Sequence, residues 1–153
     1  MGTMRFNHME LTYGEGLLTP ELRDEIREFY GEIFGWSASD IEILGQTGLL
    51  LGVDEEVSQF ILLAESPKPI HSPGYDHLGV LLETRAEVDA IYTKCQEWQA
   101  RDARVQIKNY EDLDQGVVVV RAFYVRHLLP IWLDVQCLEW TEGSEPARRW
   151  SYA

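Results

Sequence analysis

Histidine recurs in one local setting along the chain. Phe6-Asn7-His8-Met9 and Tyr75-Asp76-His77-Leu78 share an order of aromatic, small polar, histidine and apolar residue. Each opens a short run in which apolar and polar residues alternate, the pattern of a half-buried strand. Alternation then fixes direction. Met9 and Leu11 take one face of the first run, and His8, Glu10 and Thr12 the other. In the second run Leu78, Val80 and Leu82 oppose His77 and Glu83. Towards the end of the chain, Leu133 and Val135 oppose Trp132, Asp134 and Gln136. A neutral imidazole can ligate a metal or carry a proton, and a carboxylate such as Glu10 can act as a general base or hold an imidazole in place. The same phase also describes ordinary polar residues on the solvent face of half-buried strands, and both readings stand at this point.

The elements that would position these residues follow from local signals. Thr19-Pro20-Glu21 combines an N-cap, a proline at the first helical position and an acid in the first turn. Leu22, Ile26, Phe29, Tyr30, Ile33 and Phe34 continue at helical spacing, and Gly35 ends the helix. Strands are expected over 41–44, 48–53 and 59–64, with turns at Gly45 and at the acidic 54–56 segment. Pro67, Pro69, Pro73 and Gly74 interrupt the chain, and the pattern restarts. Thr84-Arg85-Ala86-Glu87 reads as a capping box, followed by the stripe Val88, Ile91, Tyr92, Cys95 and Trp98. Strands are expected near 105–109, 117–125 and 131–140. The order is βαβββ twice. The expected fold is therefore α+β, with two such modules (5–66 and 75–140) joined through one cup-shaped mixed sheet and the helices outside. They would form a single domain over 5–140. The polar tail, 141–153, is expected to be loosely held, with Trp150 and Tyr152 able to dock on the body.

Composition narrows the partners. The formal net charge of -13 disfavours nucleic acid and anionic membranes. No apolar run approaches the roughly 20 residues of a membrane span, and no apolar segment follows the first charge as in a signal peptide. Cys95 and Cys137 lack CxxC spacing and fall on core faces, which points to buried small apolar groups in a reduced, cytoplasmic protein. His71 and His127 fall in expected loops and read as solvated. Trp36, Trp98 and Trp140, at or near element ends, are expected to serve a homodimer interface.

In order, the motifs Phe-Asn-His-Met-Glu-Leu at 6–11, Glu-Phe-Tyr-Gly-Glu-Ile-Phe-Gly-Trp at 28–36, Asp-His-Leu-Gly-Val at 76–80, Phe-Tyr-Val-Arg at 123–126 and Ile-Trp-Leu-Asp-Val at 131–135 resemble the vicinal oxygen chelate superfamily. That superfamily includes glyoxalase I, bleomycin-resistance proteins, fosfomycin-resistance enzymes and type I extradiol dioxygenases. The resemblance runs from Arg5 to about Trp140. It implies metal ligands on the first and last strand of each module, and it carries those positions onto His8, His77 and Asp134. Two imidazoles and a carboxylate suit Fe(II), Mn(II), Ni(II) or Zn(II), with open positions for a small substrate that chelates through adjacent oxygens. The fourth position falls among Phe60, Ile61 and Leu62, with Glu65 nearby. Tyr124 lies in a stretch similar to the Ser-Phe-Tyr of extradiol dioxygenases, where the tyrosine hydrogen-bonds a substrate oxygen; an ordinary half-buried strand tyrosine fits equally.

The chain departs from the family pattern in three places. His127-Leu128-Leu129-Pro130 replaces the usual Asp-Pro-x-Gly turn. Gln115 stands near the place of the dioxygenases' second-sphere histidine. Ser58, Gln59 and Phe60 occupy the region of their acid–base histidine. Lyase or isomerase chemistry and ring cleavage both remain open. The alternative is a metal-free protein of the bleomycin-resistance type, whose acidic, aromatic groove would sequester a cationic or planar molecule. The net charge and the five tryptophans suit that alternative.

Overall fold

A computed structural model describes residues 4–56 and 58–147. The chain divides into two compact units. One holds the chain up to Asp76 together with Arg126–Ile131; the other holds His77–Val125 and the chain from Trp132 onward. The class is α+β, with one mixed sheet in each unit and a βαβββ order that the second unit extends by one two-residue strand. Trp150 and Tyr152 lie outside the described residues.

The first unit runs β1 (His8–Tyr13), α1 (Pro20–Phe34), β2 (Ser37–Ile43), β3 (Gln46–Gly52) and β4 (Phe60–Glu65). Its sheet has the order β1-β4-β3-β2, with β1 parallel to β4 and the other pairs antiparallel. The Thr19 hydroxyl accepts from the Leu22 N–H at 3.2 Å, and Gly35 closes α1 at φ 70°. Ile26, Phe29, Tyr30 and Ile33 of the helix are buried with Leu11, Leu49, Leu51, Ile61 and Leu63 of the sheet. Gly48 is required by close packing: a Cβ there would stand 2.9 Å from the Leu63 carbonyl oxygen. The β2–β3 hairpin turns through Leu44 and Gly45 at φ 51° and 77°, the double positive φ of a type I′ turn. β2 starts at Ser37 and not near Ile41, because backbone pairing with β3 holds a polar edge segment that apolar alternation does not mark.

The loop 126–131 belongs to this first unit, and it corrects one expectation. His127 is 1% exposed, not solvated. Its ring packs on Phe29 at 4.5 Å, and the Tyr30 hydroxyl donates to its carbonyl at 2.7 Å. The Tyr13 hydroxyl donates to the next carbonyl, Leu128, at 2.8 Å, and burial raises the Tyr13 pKa. His71 is exposed, as expected of a loop residue.

The second unit runs β5 (His77–Leu81), α2 (Arg85–Arg101), β6 (Gln106–Asn109), β7 (Leu113–Asp114), β8 (Val118–Arg126) and β9 (Trp132–Trp140). The sheet order is β5-β9-β8-β6, with the two-residue β7, not foreseen from sequence, also pairing β8. The capping box of α2 forms in both directions between Thr84 and Glu87. Val88, Cys95 and Trp98 are buried with Phe123, Val125, Leu133, Val135 and Cys137. Both cysteines are free and buried, and burial pushes both thiols up. Arg121 is buried as well, held by Asp89 at 2.9 Å and Asn109 at 2.7 Å. Trp36 and Trp98 are also buried within their own units, Trp36 stacked on Phe34 at 4.9 Å, so neither is available for the interface expected of them.

Candidate functional site

The parallel pairings β1–β4 and β5–β9 carry the residues of interest. In the first unit His8 stands opposite Phe60 and Glu10 opposite Leu62; in the second His77 stands opposite Trp132 and Gly79 opposite Asp134. The side-chain directions follow the alternation. His8 and Glu10 are exposed while Leu11, on the opposite face of β1, is buried, and His77 is more exposed than Leu78.

In the second unit a set of polar and aromatic side chains converges. Asp134 lies directly across from Tyr124 on β8 and beside the bare backbone of Gly79 on β5. The His77 Nε2 is 3.8 Å from Asp134 Oδ2, and the His77 ring is 4.7 Å from that of Tyr124. Tyr110 packs edge-on against Tyr124 at 4.8 Å, and the Lys108 ammonium lies 5.0 Å from the Tyr110 ring centre. Asp134 is 8% exposed, and among the described residues its buried Oδ1 meets no hydrogen-bond partner. Burial raises the Asp134 pKa above the ordinary carboxyl value, with His77 opposing the shift. The Tyr124 phenol is raised by burial first, then by Asp134 and Tyr110, with Lys108 pulling the other way.

The first unit arranges its residues differently. His8 Nδ1 is 2.7 Å from Asn7 Oδ1, and the ring stacks on Phe60 at 4.8 Å and 7°. Glu65, close to the fourth ligand position of the resemblance, is already used: its carboxylate accepts from the Leu18 N–H at 3.0 Å.

Solved structures with this architecture include a possible glyoxalase from Bacillus cereus (20% identity, TM-score 0.57), covering 88% of this chain and 100% of that one. The fosfomycin resistance protein FosX from Listeria monocytogenes matches at 15% identity and TM-score 0.61, over 97% of this chain and 100% of the other. The lactoylglutathione lyase from Agrobacterium tumefaciens matches at 18% identity and TM-score 0.58, over 90% and 96%. The chain shares the fold of these three structures. No family model and no curated relative matches the chain.

The spacing of the gathered donors can be tested against a divalent ion. Two donors that each bind one ion at about 2.1 Å can stand up to about 4 Å apart. The His77–Asp134 separation of 3.8 Å is within that span and too long for a hydrogen bond. The unpartnered Asp134 oxygen fits the same role. The gathered set is a pair: among the described residues, no group of three or more His, Cys, Asp or Glu side chains is assembled to hold a metal. Also among the described residues, no helix is long and apolar enough to cross a membrane.

Sequence reasoning passed over Asn7, Lys108 and Tyr110. A signal for the last two was available, since Gln106, Lys108 and Tyr110 recur every second residue and so share one phase of β6 and its extension.

Proposed function

We propose that the chain is a divalent-metal-dependent enzyme of the glyoxalase or extradiol dioxygenase type, with His8, His77 and Asp134 as ligands. The observation that carries this reading is Asp134, a carboxylate buried beside an imidazole with one oxygen that meets no donor among the described residues. A buried charge in that condition is costly, and a bound cation removes the cost. A divalent ion would supply Lewis-acid stabilisation of an oxyanion on a small substrate that chelates through adjacent oxygens. His77 and Asp134 offer two donors on neighbouring strands, and His8, the matching histidine of the first module, is the third in this reading. Tyr124 stays protonated at neutral pH, because burial and Asp134 both oppose its ionisation, so its phenol donates to a substrate oxygen. Glu10, exposed on the His8 face of β1, acts as the proton acceptor.

Metal per chain, measured by mass spectrometry on protein purified without chelator or affinity tag, tests the ligand set. Wild type is expected to carry about one ion, and His77→Ala and Asp134→Ala to lose most of it. Asp134→Glu should retain it. Equal metal in wild type and His77→Ala removes the triad.

A second reading has its own support. Tyr110, Tyr124 and His77 form a run of neighbouring rings in a chain of net charge -13, which suits a metal-free protein that sequesters a planar or cationic molecule. Saturable binding of such a compound by metal-free protein, weakened by Tyr110→Ala and unchanged by His8→Ala, favours this reading over the enzyme.

A further inference from the structure

We propose that Asn7 is a positioning residue that sets the tautomer of His8, holding the proton on Nδ1 and leaving the lone pair on Nε2. The significance of this for metal binding rests on the reading given above; the tautomer itself does not. Ser58 is the fixed end of the relay. Its backbone N–H donates to Asp54 Oδ1 at 2.8 Å, and its hydroxyl donates to Asp54 Oδ2 at 2.6 Å, which anchors the turn before β4. The Ser58 carbonyl receives the Asn7 side-chain amide Nδ2 at 2.6 Å. A carbonyl oxygen can only accept, so chemistry fixes which end of the Asn7 amide faces Ser58.

The other end follows by elimination. Asn7 Oδ1 lies 2.7 Å from His8 Nδ1, and an amide oxygen also only accepts. Nδ1 must therefore carry a hydrogen, and in the neutral ring the lone pair falls on Nε2. The ring plane is restrained as well. His8 stacks on Phe60 at 4.8 Å, and the Phe60 N–H donates to the Asn7 carbonyl at 3.0 Å. Asn7 thus holds the imidazole edge through its side chain and, through its backbone, the ring on which the imidazole stacks. A solvated histidine favours the opposite tautomer, with the hydrogen on Nε2, so the relay imposes a state that exposure alone would not give. An imidazole that ligates a metal generally donates its other N–H to an oxygen, and loss of that partner typically weakens metal binding about 10- to 100-fold.

The tautomer is read directly from imidazole nitrogen shifts in long-range proton–nitrogen spectra of the metal-free protein. Spectra are taken well above the ordinary histidine pKa of about 6.5, with His8 assigned by its loss in His8→Gln. Wild type is expected to show protonated Nδ1, and Asn7→Ala to revert to protonated Nε2. Asn7→Asp should keep the hydrogen on Nδ1, because a carboxylate also accepts there. Asn7 is exposed, and circular dichroism confirms that the variants fold. Protonated Nε2 in wild type, or protonated Nδ1 retained in Asn7→Ala, overturns the proposal. With Ni(II) as probe, Asn7→Ala should bind about 10-fold more weakly than wild type, and Asn7→Asp should restore most of the difference. A wild type with protonated Nδ1 that takes up no metal supports the relay and removes the metal reading. A wild type that binds Ni(II) with protonated Nε2 does the reverse.

Discussion

Replacing Asp134 by asparagine should stabilise the metal-free protein while removing metal binding. Asp134 is 8% exposed, and one of its oxygens has no hydrogen-bond partner among the described residues. Leaving a buried polar group in that state costs about 1–3 kcal/mol, with ionised groups at the upper end. Asparagine keeps the shape and removes the charge, so about 1 kcal/mol of that cost should be recovered. For a chain of this size, that raises the melting temperature by about 2–4 °C. The pH dependence gives the sharper test. Burial raises the Asp134 pKa above its ordinary value of 3.8, so the folded state holds this proton more tightly than the unfolded one. The wild-type penalty is therefore fully present above the raised folded pKa. It is lost as the pH falls through that value towards 3.8. Urea unfolding of metal-free wild type and Asp134→Asn, followed by circular dichroism across this range, measures the gap. A variant no more stable than wild type at neutral pH, or a gap that does not shrink on acidification, would refute the reasoning.

Three further perturbations have definite expected outcomes. Leu44→Asn should raise stability by about 0.5–1 kcal/mol by urea midpoint, because Leu44 sits at φ 51° in a type I′ turn where asparagine is favoured, and its side chain is 98% exposed. His127→Ala should cost about 2–4 kcal/mol as a cavity against Phe29, whereas the same change at exposed His71 should cost nothing measurable by thermal melting. Arg85 binds Asp112 at 2.7 Å and Glu139 at 2.5 Å, and Asp112 lies two residues beyond Tyr110. Arg85→Ala should therefore speed amide exchange of the 109–114 segment about threefold, as expected for the loss of exposed ion pairs, with little change in melting temperature.

The parts of the fold legible in the sequence are those written in local chemistry. Thr19-Pro20 and Thr84-x-x-Glu87 cap helices through bonds spanning only three residues, and both helices begin where these signals lie. Apolar alternation likewise reports the face a side chain takes, as at Leu11 against His8 and Glu10. Features made by distant partners were not legible. The polar β2 begins early because β3 supplies its hydrogen bonds, and β7 exists only through β8. His127 looks like a turn residue in sequence and becomes core because Phe29 and Tyr30, nearly a hundred positions earlier, pack on its loop. At the candidate site, phase set His77 and Asp134 on one face but could not give their 3.8 Å approach, and the neighbours Tyr110 and Lys108 went unmarked.

The pairing registers also explain how two similar modules come to present different side chains on the face away from the helix. Aligning His8 with His77 equates Met9, Leu11, Ile61 and Leu63 with Leu78, Val80, Leu133 and Val135, so the helix-facing positions remain apolar in both copies. The opposite face is not bound by core packing, and there the copies diverge. Glu10 beside Leu62 in the first becomes Gly79 beside Asp134 in the second. In each copy, one strand of the pair supplies a carboxylate and the other an uncharged residue, but the strand that supplies it has changed. On β1 the carboxylate is exposed. On β9, between β5 and β8, it is buried at low exposure against His77 and Tyr124, where a charge is tolerable only with a partner. On the function proposed above, this difference in exposure suits Glu10 to proton transfer and Asp134 to holding a cation.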